Sequence, residues 1–349
     1  MIPKLLIIQT AFIGDVVLAT ALIENCHARF PGAQIDFLVR KGNEELLNGH
    51  PYLQEVLIWD KRKNKIRHLL QLILLLRRKK YDKVINVQRY FATGLLTAFS
   101  GAAETIGFDK NPLSFLFTKK IRHVFDGYPG KEKDPSSPKK ISGHYLHETE
   151  RNNLLIEPFT QQPARRPVLY PSEKHYTAVS QYQSATYITL SPSSVWFTKQ
   201  YPAEKWISFI NRVPASCPVY LLGGPGDTSQ AELIRMQSAH PNMTNLCGKL
   251  NFLESAALMK KAVMNYVNDS APMHFASAVN APVTAIFCST IPAFGYGPLS
   301  DTRFIVERKE PLYCRPCGIH GHKACPQSHF KCAVEITDDQ LLETFTPER

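Results

Sequence analysis

Short uninterrupted apolar runs alternate along the chain with segments whose apolar residues recur at helical spacing. Leu5 to Ile8 follows a polar start and suits a strand buried on both faces. Gln9 to Gly14 then turns, Asp15 sits at the bend, and Val16 to Ile23 carries the helical period. A strand, a tight turn permitted by glycine and a helix make the opening unit of an α/β sheet. Open α/β sheets gather ligands at the carboxyl ends of their strands, and Asp15 is expected there. A carboxylate in the first turn of a helix is also a plain cap. The local pattern leaves both roles open.

The alternation continues. Strands are expected at Ile35–Val39, Val56–Trp59, Val84–Val87 and Thr105–Phe108, with helical segments over 41–47, 66–78, 93–100 and 145–155. Residues 126–145, rich in Gly, Pro, Ser and Lys, predict a mobile surface loop. Pro158, Pro163, Pro167 and Pro171 mark a linker between two domains. The pattern then restarts, with strands at 187–190, 219–222, 245–247, within 262–268 and at 283–287, and helices at 203–212, 228–236, 252–260 and 272–279. The expected architecture is α/β: two Rossmann-like domains facing a central cleft. Their bounds are 1–160 and 176–330, joined by 161–175 and followed by a C-terminal helix or tail over 331–349.

Composition narrows the function classes. With 349 residues, two domains are favoured over one. The 41 Lys and Arg against 30 Asp and Glu give a net charge of +11 and point to an anionic partner. The basic residues are dispersed, and no RRM, KH or helix-turn-helix signature occurs, so a nucleic-acid binder is the remote alternative and no nucleic acid is expected as partner. The N-terminal apolar run is too short for a signal-peptide core. The most apolar later stretch, Leu69–Leu76, is far below the ~20 residues that span a bilayer. A soluble, cytoplasmic protein is expected, with its eight cysteines reduced unless metal-bound.

Three stretches carry candidate chemistry. Asp269-Ser270-Ala271 follows a strand and enters a helix, whose N-terminal N–H groups suit phosphate, with His274 one turn further on. A lone His there is more often a packed, hydrogen-bonded residue than a catalyst. Ser193, Ser194, Thr198 and Lys199 form a hydroxyl-rich loop with one cation, able to hold a diphosphate without a metal. The sequence 221–227, LLGGPGD, permits close approach to a ligand, with Asp227 suited to ribose hydroxyls.

The ordered combination of GDVVLATA, SxxxxxKxxPxxxW, LLGGPGD and DSAPMHFASAVNAPVTAIF resembles glycosyltransferase family 9, the ADP-heptose:lipopolysaccharide heptosyltransferases. The segment CRPC…CPQSHFKC looks most like the heptosyltransferase II branch. The resemblance covers nearly the whole chain. It implies a GT-B fold, with the acceptor on the N-terminal domain and the nucleotide-sugar on the C-terminal one. It also implies inverting transfer of heptose from ADP-L-glycero-D-manno-heptose to the Kdo/heptose-lipid A inner core of lipopolysaccharide, without a required cofactor or metal. A related reading is a family 9 transferase with another nucleotide-sugar or core acceptor.

Carried over by motif, Asp15 becomes the general base. Ser193, Ser194, Lys199, Asp227, Asp269, Ser270, Ala271 and His274 become donor-binding residues. Ala271 stands where the family usually has Gly, so a left-handed backbone there would be strained. The implied acceptor is anionic. Gly14, Arg62, Lys65 and Arg89 are its candidate contacts, with Lys61, Lys63 and Arg67 as further basic neighbours. Leu69–Lys80 is either a core helix with a basic end or a peripheral contact with the inner leaflet of the inner membrane. Cys314, Cys317, Cys325 and Cys332, spaced C-x2-C-x7-C-x6-C, leave a structural zinc site or a compact thiol-lined loop as alternatives, the loop favoured.

Overall fold

Twelve strands form two six-stranded parallel sheets in the computed structural model, which describes residues 2–62, 64–125 and 145–345. Lys63 and nearly all of the loop expected over 126–145 lie outside the described residues. The first unit holds the described residues up to Val124 together with Glu148–Tyr170; the second holds Phe125, 145–147 and Pro171 onward.

In the first unit, β1 (Lys4–Ile8), β2 (Gln34–Arg40), β3 (Leu53–Trp59), β4 (Lys83–Asn86), β5 (Glu104–Phe108) and β6 (Lys119–Ile121) lie in the order β3-β2-β1-β4-β5-β6. Ile8 pairs with Asn86 across β1 and β4. Strand order reverses at this seam, so the loops after β1 and β4 open there. Leu5–Ile8 is fully buried, as expected of a strand covered on both faces.

The turn after β1 is shorter than the sequence pattern suggests. The helix Ile13–Arg29 begins with Phe12 as its N-cap, and the Val16 N–H bonds Phe12 O at 3.2 Å. Gly14 and Asp15 therefore stand in its first turn rather than at a bend. The proline-rich stretch up to Tyr170 lies along this helix: Val168 N–H bonds Thr20 Oγ1 at 2.9 Å, and Tyr170 OH donates to Glu24 Oε1 at 3.0 Å.

The second unit repeats the design. Its strands are β7 (Ile188–Ser191), β8 (Val219–Leu221), β9 (Met243–Asn245), β10 (Met264–Asn268), β11 (Val283–Phe287) and β12 (Arg303–Glu307), in the order β12-β11-β10-β7-β8-β9. The reversal falls between β7 and β10, where Ser191 pairs with Val267. Its core gathers Ile188, Trp206, Phe209, Tyr266 and Ile286. Ala333, Ile336 and Leu341 join the same core, so the C-terminal segment is an integral part of this unit up to its last described residues.

Two strands escape sequence reading. β6 is a polar edge strand, and β12 exposes Arg303 and Ile305 while burying only Val306 fully. β6 presents no apolar run, and the run of β12, Phe304–Val306, is short and lies on a sheet edge.

Candidate active site

At the reversal point of the first unit, Asp15 is half-buried. The backbone N–H groups of Phe12 and of Asp15 itself favour the charged carboxylate and pull its pKa down. The carboxyl is nevertheless pushed up to about 6, first by burial, then by the charge of Glu148. Arg89, exposed just past β4, pulls the other way. Asp15 thus stands in the first turn of its helix with a proton affinity near neutrality.

The loop before Asp15 is pinned from three sides. Thr10 Oγ1 donates to Gln88 Oε1 at 2.6 Å, Asn43 Nδ2 donates to Ala11 O at 3.0 Å, and Lys61 Nζ donates to Thr10 O and Oγ1 at 2.8 Å each. Lys61 lies 4.7 Å from the Trp59 ring centroid, and burial with the neighbouring Arg40 and Lys65 lowers its pKa to about 8. Arg40, the last residue of β2, lies 5.3 Å from the Phe12 ring and feels both Arg62 and Asp15. Arg62 and Lys65 themselves are exposed. Arg40, Lys61, Arg62 and Lys65 thus form one cationic group beside Asp15. Arg40 was missed in the sequence, although its position at the carboxyl end of a strand marked it. Glu148, which tunes Asp15, lies 133 residues away in sequence with no local signal.

At the reversal point of the second unit, Lys199 Nζ pairs with Asp269 Oδ2 at 2.7 Å, and Thr290 Oγ1 donates to the same oxygen at 2.6 Å. Buried Asn268 sets this geometry: its Oδ1 accepts from Tyr201 N–H at 3.0 Å and its Nδ2 donates to Pro192 O at 2.7 Å. Ser193 Oγ donates to Gln230 Oε1 at 3.3 Å, and Gln200 Nε2 donates to Ser194 O at 2.6 Å. Both serines stay half-exposed around the loop that carries Lys199.

Ser270 is the N-cap of the helix Ala271–Ala278, with Ala271 as its first residue. Ala271 is absent from the positive-φ residues, so the strain expected from Ala in place of Gly does not arise. Pro272 has no N–H and the Met273 N–H bonds Ser270 O, so the backbone donors at this end reduce to those of Ser270 and Ala271. His274 is buried, its Nδ1 has no hydrogen-bond partner among the described residues, and its pKa falls to about 3, first through burial, then through His147. It is neutral at physiological pH. Asp227, expected to take ribose hydroxyls, spends Oδ2 on its own loop, accepting from Gly224 N–H at 2.7 Å.

The cysteine-rich segment folds against the lysine loop. The Thr198 N–H bonds His322 O at 3.1 Å, and the His322 N–H bonds Thr198 Oγ1 at 2.8 Å. Ser289 Oγ donates to the same Thr198 hydroxyl at 3.0 Å. Among the described residues no group of three or more His, Cys, Asp or Glu is arranged to hold a metal ion. Cys314 Sγ lies 3.8 Å from His329 Nε2, Cys317 Sγ is 3.4 Å from Cys314 O, and Cys332 is buried.

A family model described as glycosyltransferase family 9 (heptosyltransferase) matches residues 69–324. The chain is 26% identical to lipopolysaccharide heptosyltransferase 3 of Escherichia coli, over 80% of this chain and 82% of that protein. It is 23% identical to lipopolysaccharide heptosyltransferase 2 of E. coli K12, over 97% of each. The solved structure of E. coli ADP-heptose LPS heptosyltransferase II superposes with a TM-score of 0.76 at 22% identity, covering 98% of this chain and 97% of that one. The fold is the GT-B type expected from the motifs. No helix among the described residues is long and apolar enough to cross a membrane.

Proposed function

The chain belongs to glycosyltransferase family 9, the heptosyltransferases, and on that premise we propose that it moves heptose from ADP-L-glycero-D-manno-heptose to the inner core of a lipid A precursor, inverting the anomeric centre. Asp15 accepts the proton of the acceptor hydroxyl as that oxygen bonds to C1 of the heptose. The C1–O bond to the diphosphate breaks, and ADP leaves with the bonding electron pair. The observation that carries this reading is the carboxyl of Asp15, raised to about 6 beside Arg89 at a strand-order reversal. A base of that proton affinity is ionised at pH 7.5 and still takes a proton.

The donor falls to the second unit. Lys199 meets the diphosphate, Ser193 and Ser194 supply hydroxyls, and Ser270 and Ala271 supply backbone N–H groups. Asp269 holds Lys199 in place until the donor arrives, His274 packs beside the pair as a neutral ring, and Asp227 reaches ribose only with its second oxygen. On the first unit, Arg62, Lys65 and Arg89 face the anionic groups of the acceptor, with Gly14 among its contacts. Kdo carboxylates and core phosphates match these cations. The enzyme works in the cytoplasm, at the membrane face that carries its lipid-linked acceptor.

The test is transfer with purified protein, ADP-heptose and a panel of truncated lipid A cores, product mass being read with and without EDTA. One heptose added to a core that already bears one places the enzyme at the second addition. Asp15→Asn is expected to lose at least a thousandfold in kcat while ADP binding stays within threefold. Transfer from another nucleotide-sugar but not from ADP-heptose would overturn the donor assignment.

A further inference from the structure

The helix Lys65–Lys79, KIRHLLQLILLLRRK, has apolar residues on two faces. Leu69, Leu72 and Leu76 are buried against the first sheet with Leu57, Trp59 and Val84. Ile66, Leu70 and Leu74 follow one another at four-residue steps and are 74%, 56% and 57% exposed. That spacing stacks them along the outer face of the helix, where a helix on a soluble core normally carries polar residues. One exposed leucine needs no explanation; three in a row on one helix form a patch.

The charges around the patch have one sign. The helix holds no carboxylate. Lys65, Arg67, Arg77 and Arg78, and Lys80 just beyond, are exposed, while Lys79 is drawn into pairs with Asp36 and Glu55. We infer that this outer face docks on an anionic lipid bilayer, with Ile66, Leu70 and Leu74 entering the headgroup boundary and the arginines meeting lipid phosphates. The inference rests on the proposed lipid-linked acceptor and adds the surface by which the enzyme reaches it. An interfacial helix needs an apolar stripe, flanking Lys or Arg and aliphatic stems long enough to snorkel, and all three are present. A second copy of the chain is a poor occupant. A two-fold contact would set these cations against their own kind, with no carboxylate on the helix to offset them.

The test is co-sedimentation of the full chain with vesicles of phosphatidylglycerol and phosphatidylcholine, against phosphatidylcholine alone. Wild type is expected to bind the anionic vesicles at least tenfold better, and to lose that preference as salt rises. Leu70→Gln with Leu74→Gln, and separately Arg77→Gln with Arg78→Gln, are each expected to weaken binding at least tenfold. Both should keep the wild-type melting temperature and wild-type transfer to a delipidated, soluble core acceptor. Undiminished vesicle binding by either pair overturns the inference, as does equal binding to both lipids. Loss of a dimer in sedimentation velocity on the leucine substitutions would instead make the face an interface between copies. Absence of transfer on every acceptor, with vesicle binding still governed by these residues, would count against the acceptor reading and leave the docking face standing.

Discussion

Lys199 and Asp269 meet at the seam between β7 and β10, Nζ to Oδ2 at 2.7 Å, and the same carboxylate oxygen accepts the Thr290 hydroxyl. The lysine is therefore neutralised before a donor arrives, and a diphosphate has to draw it away from a carboxylate that Thr290 continues to satisfy. Lys199→Met is expected to weaken ADP binding at least tenfold. It should also lower stability by about 2 kcal/mol, because Asp269 is left without its cation. Asp269→Asn frees the lysine, and ADP should then bind within threefold of wild type or more tightly. Calorimetric titration of both variants checks this; an equal loss in the two would mean that the carboxylate itself orients Lys199 toward the donor.

Asp15 sets an acid limb. Its folded-state pKa of about 6 lies above its ordinary value of 3.8, so kcat/KM should rise with pH and level off above about 6. Glu148→Gln removes a charge that raises it, and the limb should move down by a few tenths of a unit. The stability effect has the opposite sign to catalysis. A carboxyl with a raised pKa favours the folded state while protonated, and that contribution is lost as pH rises from about 4 through 6. Asp15→Asn should therefore be more stable than wild type at pH 8, by about 1–3 kcal/mol. A pH–rate profile and urea titrations at pH 5 and 8 measure both; an unshifted limb in Glu148→Gln would remove that residue from the account.

The strands that carry the two candidate sites were legible in the sequence because buried parallel strands write themselves as apolar runs: β1, β10 and β11 stand where their patterns put them, while the strand order was not read. Asp15, Lys199 and Asp269 were legible for the same reason, each following such a strand. Hidden from sequence were the partners that tune them. Glu148, Thr290 and the His322 backbone reach the site through tertiary packing, which no local period records. The turn before Gly14 was read too long because the helix already begins at Ile13. The strain expected at Ala271 presupposed a left-handed backbone, whereas Ala271 begins a helix, where Ala is the better residue. Ala271→Gly should accordingly cost about 0.5–1 kcal/mol in thermal or urea unfolding without tightening donor binding.

Gly321 lies against the donor loop, next to the His322 backbone that bonds Thr198. Its φ is +77°, and a Cβ there would meet Thr198 Oγ1 at 2.9 Å and Lys199 Cγ at 3.3 Å. Gly318 has φ +126° and open space around its Cβ position. Ala at either position carries backbone strain of about 1–2 kcal/mol. Only Gly321→Ala also pushes on Thr198 and Lys199. It is expected to weaken ADP binding several-fold, whereas Gly318→Ala leaves ADP binding unchanged. Equal ADP affinities in the two variants would separate the segment from donor recognition.

Among the described residues, the large downward shifts of His274, His50 and His123 make the folded state sensitive to mild acid. His274 is lowered to about 3, and His50 and His123 to about 4, burial being the first cause in each. Their ordinary value is 6.5. Between pH 6.5 and 4 the unfolded chain binds protons on these rings that the folded chain refuses, so stability falls as pH drops through that window. Each full unit of pH inside it removes up to about 1.4 kcal/mol per ring. His123 is only half-buried and contributes less, while Asp15 works in the opposite direction. From pH 7 to pH 5 the net loss should be about 2–4 kcal/mol, visible as a lower urea midpoint with an unchanged m-value. The C2 proton shift of His274 should stay constant down to pH 5 in the folded protein. A midpoint equal at the two pH values, or a His274 ring that titrates near 6.5, would mean that water reaches these rings and that the donor site is more open than its burial implies.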